Sequence, residues 1–387
     1  MVAARHAELR ASRALLLPLV FAAALASLAA MPSASDSPPL IWSLLGAAGA
    51  VMAWAAILFV RARAQDRTLR LEIGLKKQHY IQACAQGSIF LYWGWYWREV
   101  YHSAPLLAAQ LLFAYAFDML LGWSRRDSYT LGFGPFPVIF SINLFLWFKP
   151  DWFYLQLAMV AVGFLAKELI VWEKDGRRAH VFNPSSFPLA LFSVVLLATG
   201  TTQLTWGYQI ATTLYDAPGI YAFIFVAGLV GQYFFGVTTM TMSAAVSLYA
   251  FGRLYFALTG AQFFRYEYIP IAVFLGLHLL FTDPSTSPRT ELGRILFGVL
   301  YAAAVMLFYR LLAYRGEATF YDKLLPVPIL NLTIRAIDRA VRSKTLAWLD
   351  PSVLGSTLAP RRRNLVYIGI WTAAFVAMSA THGLGPK

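Results

Sequence analysis

Residues 183–188 read Asn-Pro-Ser-Ser-Phe-Pro and open one of several short apolar runs in the chain. A residue that precedes proline avoids helical backbone, and asparagine there favours a turn, so this hexapeptide interrupts a helix. Three other short apolar runs also have proline at their entry. They begin with Gly134-Pro135-Phe136-Pro137, Ile269-Pro270 and Pro326-Val327-Pro328. The four proline entries predict short, broken helices in place of continuous ones.

The composition places these breaks in a membrane protein. The chain has 387 residues, of which 59% are apolar and 13% charged, and its mean hydropathy is +0.58. The charged fraction is about half that of a soluble domain, and the high mean hydropathy over the whole length excludes a soluble enzyme with a single anchor. We therefore predict an all-α polytopic membrane protein. Thirteen apolar segments lie near 14–31, 40–60, 78–97, 104–123, 131–148, 152–172, 183–199, 219–235, 238–260, 269–282, 292–314, 324–338 and 365–381.

The order of the proline-marked segments predicts an internal repeat. The fifth segment corresponds to the tenth and the seventh to the twelfth, each displaced by five segments. An odd displacement reverses the direction of crossing, so the pattern indicates an inverted-topology repeat of five plus five helices. The simpler alternative is that proline is favourable at any helix start. We expect two N-terminal helices and a basic loop in 1–73, the ten-helix core in 74–342, and a basic segment with a last helix in 343–387.

The positive residues predict the orientation. With a cytoplasmic N-terminus, 23 of the 32 Lys and Arg residues fall on the cytoplasmic side, seven outside and two at membrane depth. This distribution obeys the positive-inside rule. It predicts a multi-pass membrane protein with its N-terminus in the cytoplasm, and it explains the net charge of +13 without nucleic-acid binding.

Two stretches resemble a known family. One is Ala166-Lys167-Glu168-Leu169 with the later Phe182-Asn183-Pro184-Ser185-Ser186-Phe187. The other is Phe281-Thr282-Asp283-Pro284-Ser285-Thr286-Ser287-Pro288 with the later Gly293-Arg294-Ile295-Leu296-Phe297-Gly298. Both are similar to signatures of the D subunit of the Rnf electron-transport complex and the B subunit of the sodium-pumping NADH:quinone oxidoreductase. The Asn-Pro-Ser-Ser form looks like a divergent branch that is encoded beside enediyne-biosynthesis genes.

The resemblance implies a fold, a function and a set of site residues. The fold would be a urea-transporter-like inverted repeat. The function would be passage of electrons through a flavin, coupled to cation movement, in a complex with other membrane subunits. No catalytic residue is assigned. The cofactor-binding positions that the resemblance implies are Lys167, Asn183, Pro184, Ser185, Thr282, Asp283, Pro284 and Arg294.

One departure from the family concerns the flavin itself. Members attach FMN to a threonine in a Gly-Ala-Thr-like motif of an outside loop, and no such motif stands in the outside loops here. The closest string, Gly236-Val237-Thr238-Thr239, falls on the predicted cytoplasmic side. Covalent FMN is therefore not expected, and any FMN or riboflavin should be bound non-covalently.

Charged residues inside or beside apolar segments require a partner or a purpose. For Asp118 we expect an ion pair with Arg125 or Arg126 near the interface in preference to a proton site. Asp283 either caps a turn or contributes to a ligand site, since both roles use the same atoms. A single cysteine, Cys84, excludes a disulfide, an iron–sulfur cluster or a thiolate zinc site built from this chain, and no metal site is predicted.

Three functions remain open from the sequence. The first is a membrane subunit of a flavin-linked electron-transfer complex. The second is a solute or ion channel or transporter of the same fold without redox chemistry. The third is a structural subunit of a membrane complex.

Overall fold

A computed structural model describes residues 5–174, 176–265, 268–381 and 384. Most of these residues are helical. The helices are α1 Ala11–Ala14, α2 Leu16–Ser27, α3 Pro32–Ser35, α4 Pro38–Ala64, α5 Lys77–Tyr96, α6 Glu99–His102, α7 Ala104–Arg126, α8 Pro135–Asn143, α9 Phe153–Leu169, α10 Ser186–Thr199, α11 Gly207–Thr213, α12 Ile220–Phe235, α13 Thr238–Thr259, α14 Ile271–Leu279, α15 Glu291–Tyr314, α16 Pro326–Val341, α17 Pro351–Leu354 and α18 Pro360–Ala380.

Several of these helices are suited to cross a membrane. In the part of the chain that the structure describes, four helical stretches are long and apolar enough, namely 38–64, 104–126, 150–169 and 291–314. A fifth span results if the bent pair 207–216 and 220–235 is counted as one. The protein is therefore helical with several candidate membrane spans, as the composition predicts. The other apolar segments form shorter or more polar helices.

The proline entries do produce short helices, as predicted. Helices α8 and α14 have nine residues each. At 1.5 Å per residue each is about 14 Å long, roughly half the hydrocarbon thickness of a bilayer. Pro135 and Pro326 stand at the first positions of α8 and α16, where a missing N–H costs no helical hydrogen bond.

The described residues also include short strands, which the hydropathy pattern did not predict. They are β1 Arg5–Arg10, β2 Thr68–Ile73, β3 Ser128–Leu131, β4 Val171–Lys174 and β5 Arg177–His180. β2 pairs with β1 in antiparallel and with β3 in parallel orientation, and β4 and β5 form a hairpin. The strands are brief and all but β3 carry charged residues, so they resembled loops.

The helices outside the predicted core pack on its periphery. Helices α2 and α4 contact α7, and α4 also contacts α9. At the other end of the chain α18 contacts α12 and α13, with the Phe225 and Phe375 rings stacked 4.0 Å apart. Asn364 of α18 donates a hydrogen bond to the Gln232 carbonyl of α12 at 3.2 Å.

Helices α13 and α15 approach each other closely at Gly298. A Cβ atom added there would lie 2.5 Å from the Met240 carbonyl oxygen and 2.9 Å from the Ala244 nitrogen, and closer still to the Ser243 hydroxyl. These obstructing atoms belong mainly to the backbone of α13, which cannot rotate away. Small residues at such crossings let membrane helices pack without a gap.

We expect Gly298→Ala to destabilise the protein by about 2 kcal/mol, because the added methyl group forces α13 and α15 apart. The measurement is the thermal unfolding midpoint in mild detergent. Gly49→Ala is the matched control, since a Cβ atom at Gly49 meets no atom within 4 Å. Its midpoint should stay at or slightly above the parent value. Equal midpoints for the two variants would contradict the close packing.

Candidate functional site

Asn183-Pro184 and Asp283-Pro284 each place a short polar residue before proline and so interrupt a helix, and these two helix breaks meet in space. The Asn183 side-chain amide donates to the Leu280 carbonyl at 3.0 Å, just after the end of α14. The Asn183 backbone N–H donates to Asn331 Oδ1 of α16 at 3.2 Å, and Asn331 donates in turn to the Thr286 carbonyl at 3.1 Å. Asn331 therefore bridges two segments that lie about a hundred residues apart in the chain.

The Asn183 side chain also organises the start of α10. Its Oδ1 accepts hydrogen bonds from the backbone N–H of Ser185 at 2.9 Å and of Ser186 at 3.0 Å, and from the Ser185 hydroxyl at 2.8 Å. These N–H groups belong to the helix start and have no helical acceptor. Since Asn183 is buried, water cannot replace these bonds.

Asp283 caps a turn, which is one of the two roles that the sequence left open. It accepts from the Ser285 N–H and the Thr286 hydroxyl, both at 3.0 Å, and so caps the 3₁₀ turn Pro284–Thr286. Its other contact is His180 Nε2 at 3.4 Å, from strand β5. Burial raises the pKa of this carboxyl, but the contact with His180 and the hydrogen bonds outweigh burial, so the net pKa is lowered.

Two adjoining cavities lie at this junction, and we call them together the basin. The inner cavity has a volume of about 290 Å³ and the outer about 500 Å³. Lys76, His79, Gly134, Lys167 and His180 line both cavities, so the two adjoin. The inner cavity is also lined by Gln78, Gln82, Pro137, Val138, Asn183, Pro184, Ser185, Phe235, Asp283, Pro284 and Ser285. The outer cavity is also lined by Gly74, Asp118, Arg126, Tyr129, Thr130, Gly132, Pro135, Glu168, Val171, Arg178 and Ala179.

Some of the basic side chains that line the basin remain available to bind a ligand. Glu168 already pairs with Arg126 at 2.7 Å and with Arg125 at 3.7 Å. Lys167 Nζ lies 4.0 Å from Asp118 Oδ2, at the outer limit of an ion pair, and its side chain is 35% exposed. Lys76 and Arg178 add two more positive groups. The basin is thus suited to an anion or to the phosphate of a larger ligand.

The structure brings six of the eight predicted site residues to the basin. They are Lys167, Asn183, Pro184, Ser185, Asp283 and Pro284. Thr282 is buried beside them, where its hydroxyl donates to the His278 carbonyl at 2.8 Å. Arg294 does not line the basin. It donates to the Gly236 carbonyl at 2.6 Å and to Glu291 at 2.9 Å, and so joins the start of α15 to the end of α12.

Sequence reasoning missed several residues of the basin. Lys76, His79 and Gln82 come from the start of α5, and Arg178 and His180 come from strand β5. No spacing in the sequence connects them with Asn183 or Asp283. A strand prediction for 171–180 was the one signal that could have placed His180 beside Asp283.

The predicted partner of Asp118 is wrong. Arg125 and Arg126 lie about two helical turns further along α7 and pair with Glu168 instead. Asp118 faces α9, where Lys167 is its nearest cation, and it lies beside Tyr129. It therefore belongs to the basin. Neighbouring helices decided this pairing, which spacing on a single helix could not.

The threonines of the string at 236–239 are already engaged. Thr238 donates to Asn364 Oδ1 at 2.9 Å and Thr239 donates to Glu291 Oε2 at 2.6 Å. Both are buried. Among the described residues, no group of three His, Cys, Asp or Glu side chains is arranged to hold a metal ion.

Comparisons of the chain with protein-family models, with curated proteins and with solved structures found no match. The class of this protein is therefore inferred from its fold and from the basin alone. The chain is a helical protein with several candidate membrane spans, and a polar, cation-bearing cavity of ligand size lies where its broken helices meet.

Proposed function

We propose that the basin binds a flavin non-covalently and that the chain passes electrons through it as a membrane subunit of an electron-transport complex. On this proposal the protein lies in a bacterial inner membrane with its N-terminus in the cytoplasm, next to other membrane subunits. The observation that supports it most is the cavity itself, which combines ligand-sized volume with available cations at the two helix breaks.

We also propose that α5 to α16 form an inverted repeat like that of urea transporters. Two similarities support this. The half-length helices α8 and α14 have nine residues each and stand at corresponding places. The contacts of α5 with α8, α7 with α8 and α9 with α10 correspond to those of α12 with α14, α13 with α14 and α15 with α16.

The residues of the basin fit a flavin that carries a phosphate. Lys76, Lys167 and Arg178 would hold the phosphate, and Gln78 and Gln82 offer amide groups for the polar edge of the ring system. The prolines that line the inner cavity provide apolar surface. When bound, a flavin supplies one-electron and two-electron transfer, while this chain's own residues would bind and orient it.

One observation favours solute transport as the second candidate. The aromatic residues that line the basin are Tyr129 and Phe235, so a flavin ring would find few stacking partners, whereas a small hydrophilic anion needs none. Broken helices at a membrane centre are also typical of transporters.

Flavin content separates the candidates. We expect protein purified in mild detergent to carry about one flavin per chain, and acid denaturation should release all of it into the supernatant. A fluorescent band on a denaturing gel would contradict non-covalent binding. Protein without flavin that conducts a small anion into vesicles would support transport, and failure of both assays would leave a structural subunit.

Lys76 and Lys77 provide a matched test of the phosphate site. Lys76 lines the basin, whereas its neighbour Lys77 is exposed at the first position of α5 and does not. A charge-assisted hydrogen bond contributes about 1.5–3 kcal/mol, so Lys76→Gln should weaken FMN binding roughly 10- to 100-fold. Lys77→Gln should leave it unchanged. The measurement is titration of flavin-free protein with FMN and with riboflavin, and riboflavin affinity should respond little because it has no phosphate.

A further inference from the structure

Residues 343–359, which we call the surface segment, join α16 to α18 and carry uncovered apolar side chains. Trp348 is 66% exposed, Val353 53%, Leu349 43% and Leu358 38%. Apolar groups of this size are unfavourable in water, and tryptophan is enriched where a membrane meets water. α18, which follows the segment, has 21 residues and is apolar beyond its first turn.

The surface segment is fixed to the core and is not a loose connection. Asp350 is buried and accepts hydrogen bonds from the Leu292 N–H at 3.0 Å and from the Ser352 N–H at 2.8 Å. Leu292 belongs to the first turn of α15. The Trp348 indole N–H donates to the Thr345 carbonyl at 2.8 Å, so the ring has a defined position. The exposed apolar groups are therefore held in place on one part of the protein.

Cations flank the surface segment on both sides. Lys344 lies at its start, and Arg361 and Arg362 follow it in the first turn of α18, all three exposed. No ion pair with an acidic side chain is formed by any of them within the described part of the chain. Cations at a helix N-terminus oppose the helix dipole, so these arginines do not serve the stability of α18. They are available to an external anion.

We propose that the surface segment and its flanking cations bind the headgroups of anionic phospholipids at the membrane surface. Lys344, Arg361 and Arg362 would contact lipid phosphates, and Trp348, Leu349 and Val353 would enter the boundary between headgroups and acyl chains. Cations combined with interfacial aromatic and aliphatic groups match such a lipid surface in both charge and polarity. The proposal is independent of what the basin binds.

The test compares lipid retention by the full-length protein in detergent with equimolar phosphatidylglycerol and phosphatidylcholine. Native mass spectrometry counts the lipids of each kind that stay bound. We expect several-fold enrichment of phosphatidylglycerol. Each cation near a membrane surface changes affinity about fivefold, so R361Q/R362Q should remove most of the enrichment and bring retention of the two lipids close to equal. R310Q/R315Q is the control, because these two exposed arginines lie at the opposite end of α15.

Equal retention of the two lipids by the parent protein, or equal losses in the two double variants, would overturn the proposal. A second measurement tests whether the apolar side chains of the surface segment enter the membrane, and it does not depend on the arginines. A polarity-sensitive fluorophore on Trp348→Cys, in a Cys84→Ala background, should shift to the blue when the protein is moved from detergent to vesicles that contain phosphatidylglycerol. The same label on Thr357→Cys serves as the polar reference, and a blue shift no larger at position 348 than at position 357 would count against insertion.

Discussion

Asn183→Ala is expected to destabilise the protein by about 3–5 kcal/mol and to lower its thermal midpoint in detergent by about 5 °C. The change removes three accepted hydrogen bonds at the start of α10 and the donated bond to the Leu280 carbonyl. The released N–H groups are buried, so water cannot satisfy them. Because α10 and the end of α14 would separate, binding to the basin should be lost as well.

Ser193→Ala is the matched control for this variant. Ser193 is also buried in α10, but its hydroxyl bonds only to the Leu189 carbonyl one turn earlier in the same helix. We expect a change of at most about 1 kcal/mol. Asn183→Asp offers a finer comparison, since it keeps the acceptor for α10 and loses the donor to Leu280. An Asn183→Ala midpoint equal to that of Ser193→Ala would mean that Asn183 does not join the two breaks.

Substitution of Asp283 is expected to have the second large effect on stability. It also distinguishes an anionic from a cationic ligand. Asp283→Ala removes the acceptor for the Ser285 N–H and the Thr286 hydroxyl, and should cost about 2–3 kcal/mol of stability. Asp283→Asn keeps an acceptor but removes the charge. If the basin binds an anion, Asp283→Asn should retain that ligand or tighten it a few-fold. If the basin binds a cation, Asp283→Asn should weaken its binding about tenfold or more. Equilibrium binding to the purified variants decides between them.

The pH dependence of stability tests the electrostatic contribution of Asp283. The pKa of Asp283 is lowered by folding, so its contribution is fully present above the unfolded value of about 3.9 and is lost as the pH falls through the folded value. The difference in stability between the parent and Asp283→Asn should therefore be constant from pH 7 to pH 5. It should shrink below about pH 4. A difference that vanished already between pH 7 and pH 5 would show that another group is responsible.

The sequence alone determined the broad architecture and part of the site. Composition predicted a helical chain with several candidate membrane spans, which the structure has, since hydropathy depends on residue type and not on where the chain folds. Proline located the short helices, because its ring and missing N–H act on the local backbone. The resemblance to a family directed attention to Lys167, Asn183 and Asp283, which do lie together at the basin. The inverted repeat and the flavin remain predictions.

The tertiary structure decided which side chains meet. Asp118 faces Lys167 and not Arg125, because a neighbouring helix lies closer than the next two turns of its own helix. His180 reaches Asp283 across 103 positions of sequence, through a hairpin whose short charged strands resembled a loop. A local sequence pattern indicates the backbone preference and the hydropathy of one stretch of the chain. The charge and shape of the basin, in contrast, depend on packing between residues that are distant in sequence. That packing depends on every helix at once, so no single stretch of sequence encodes it.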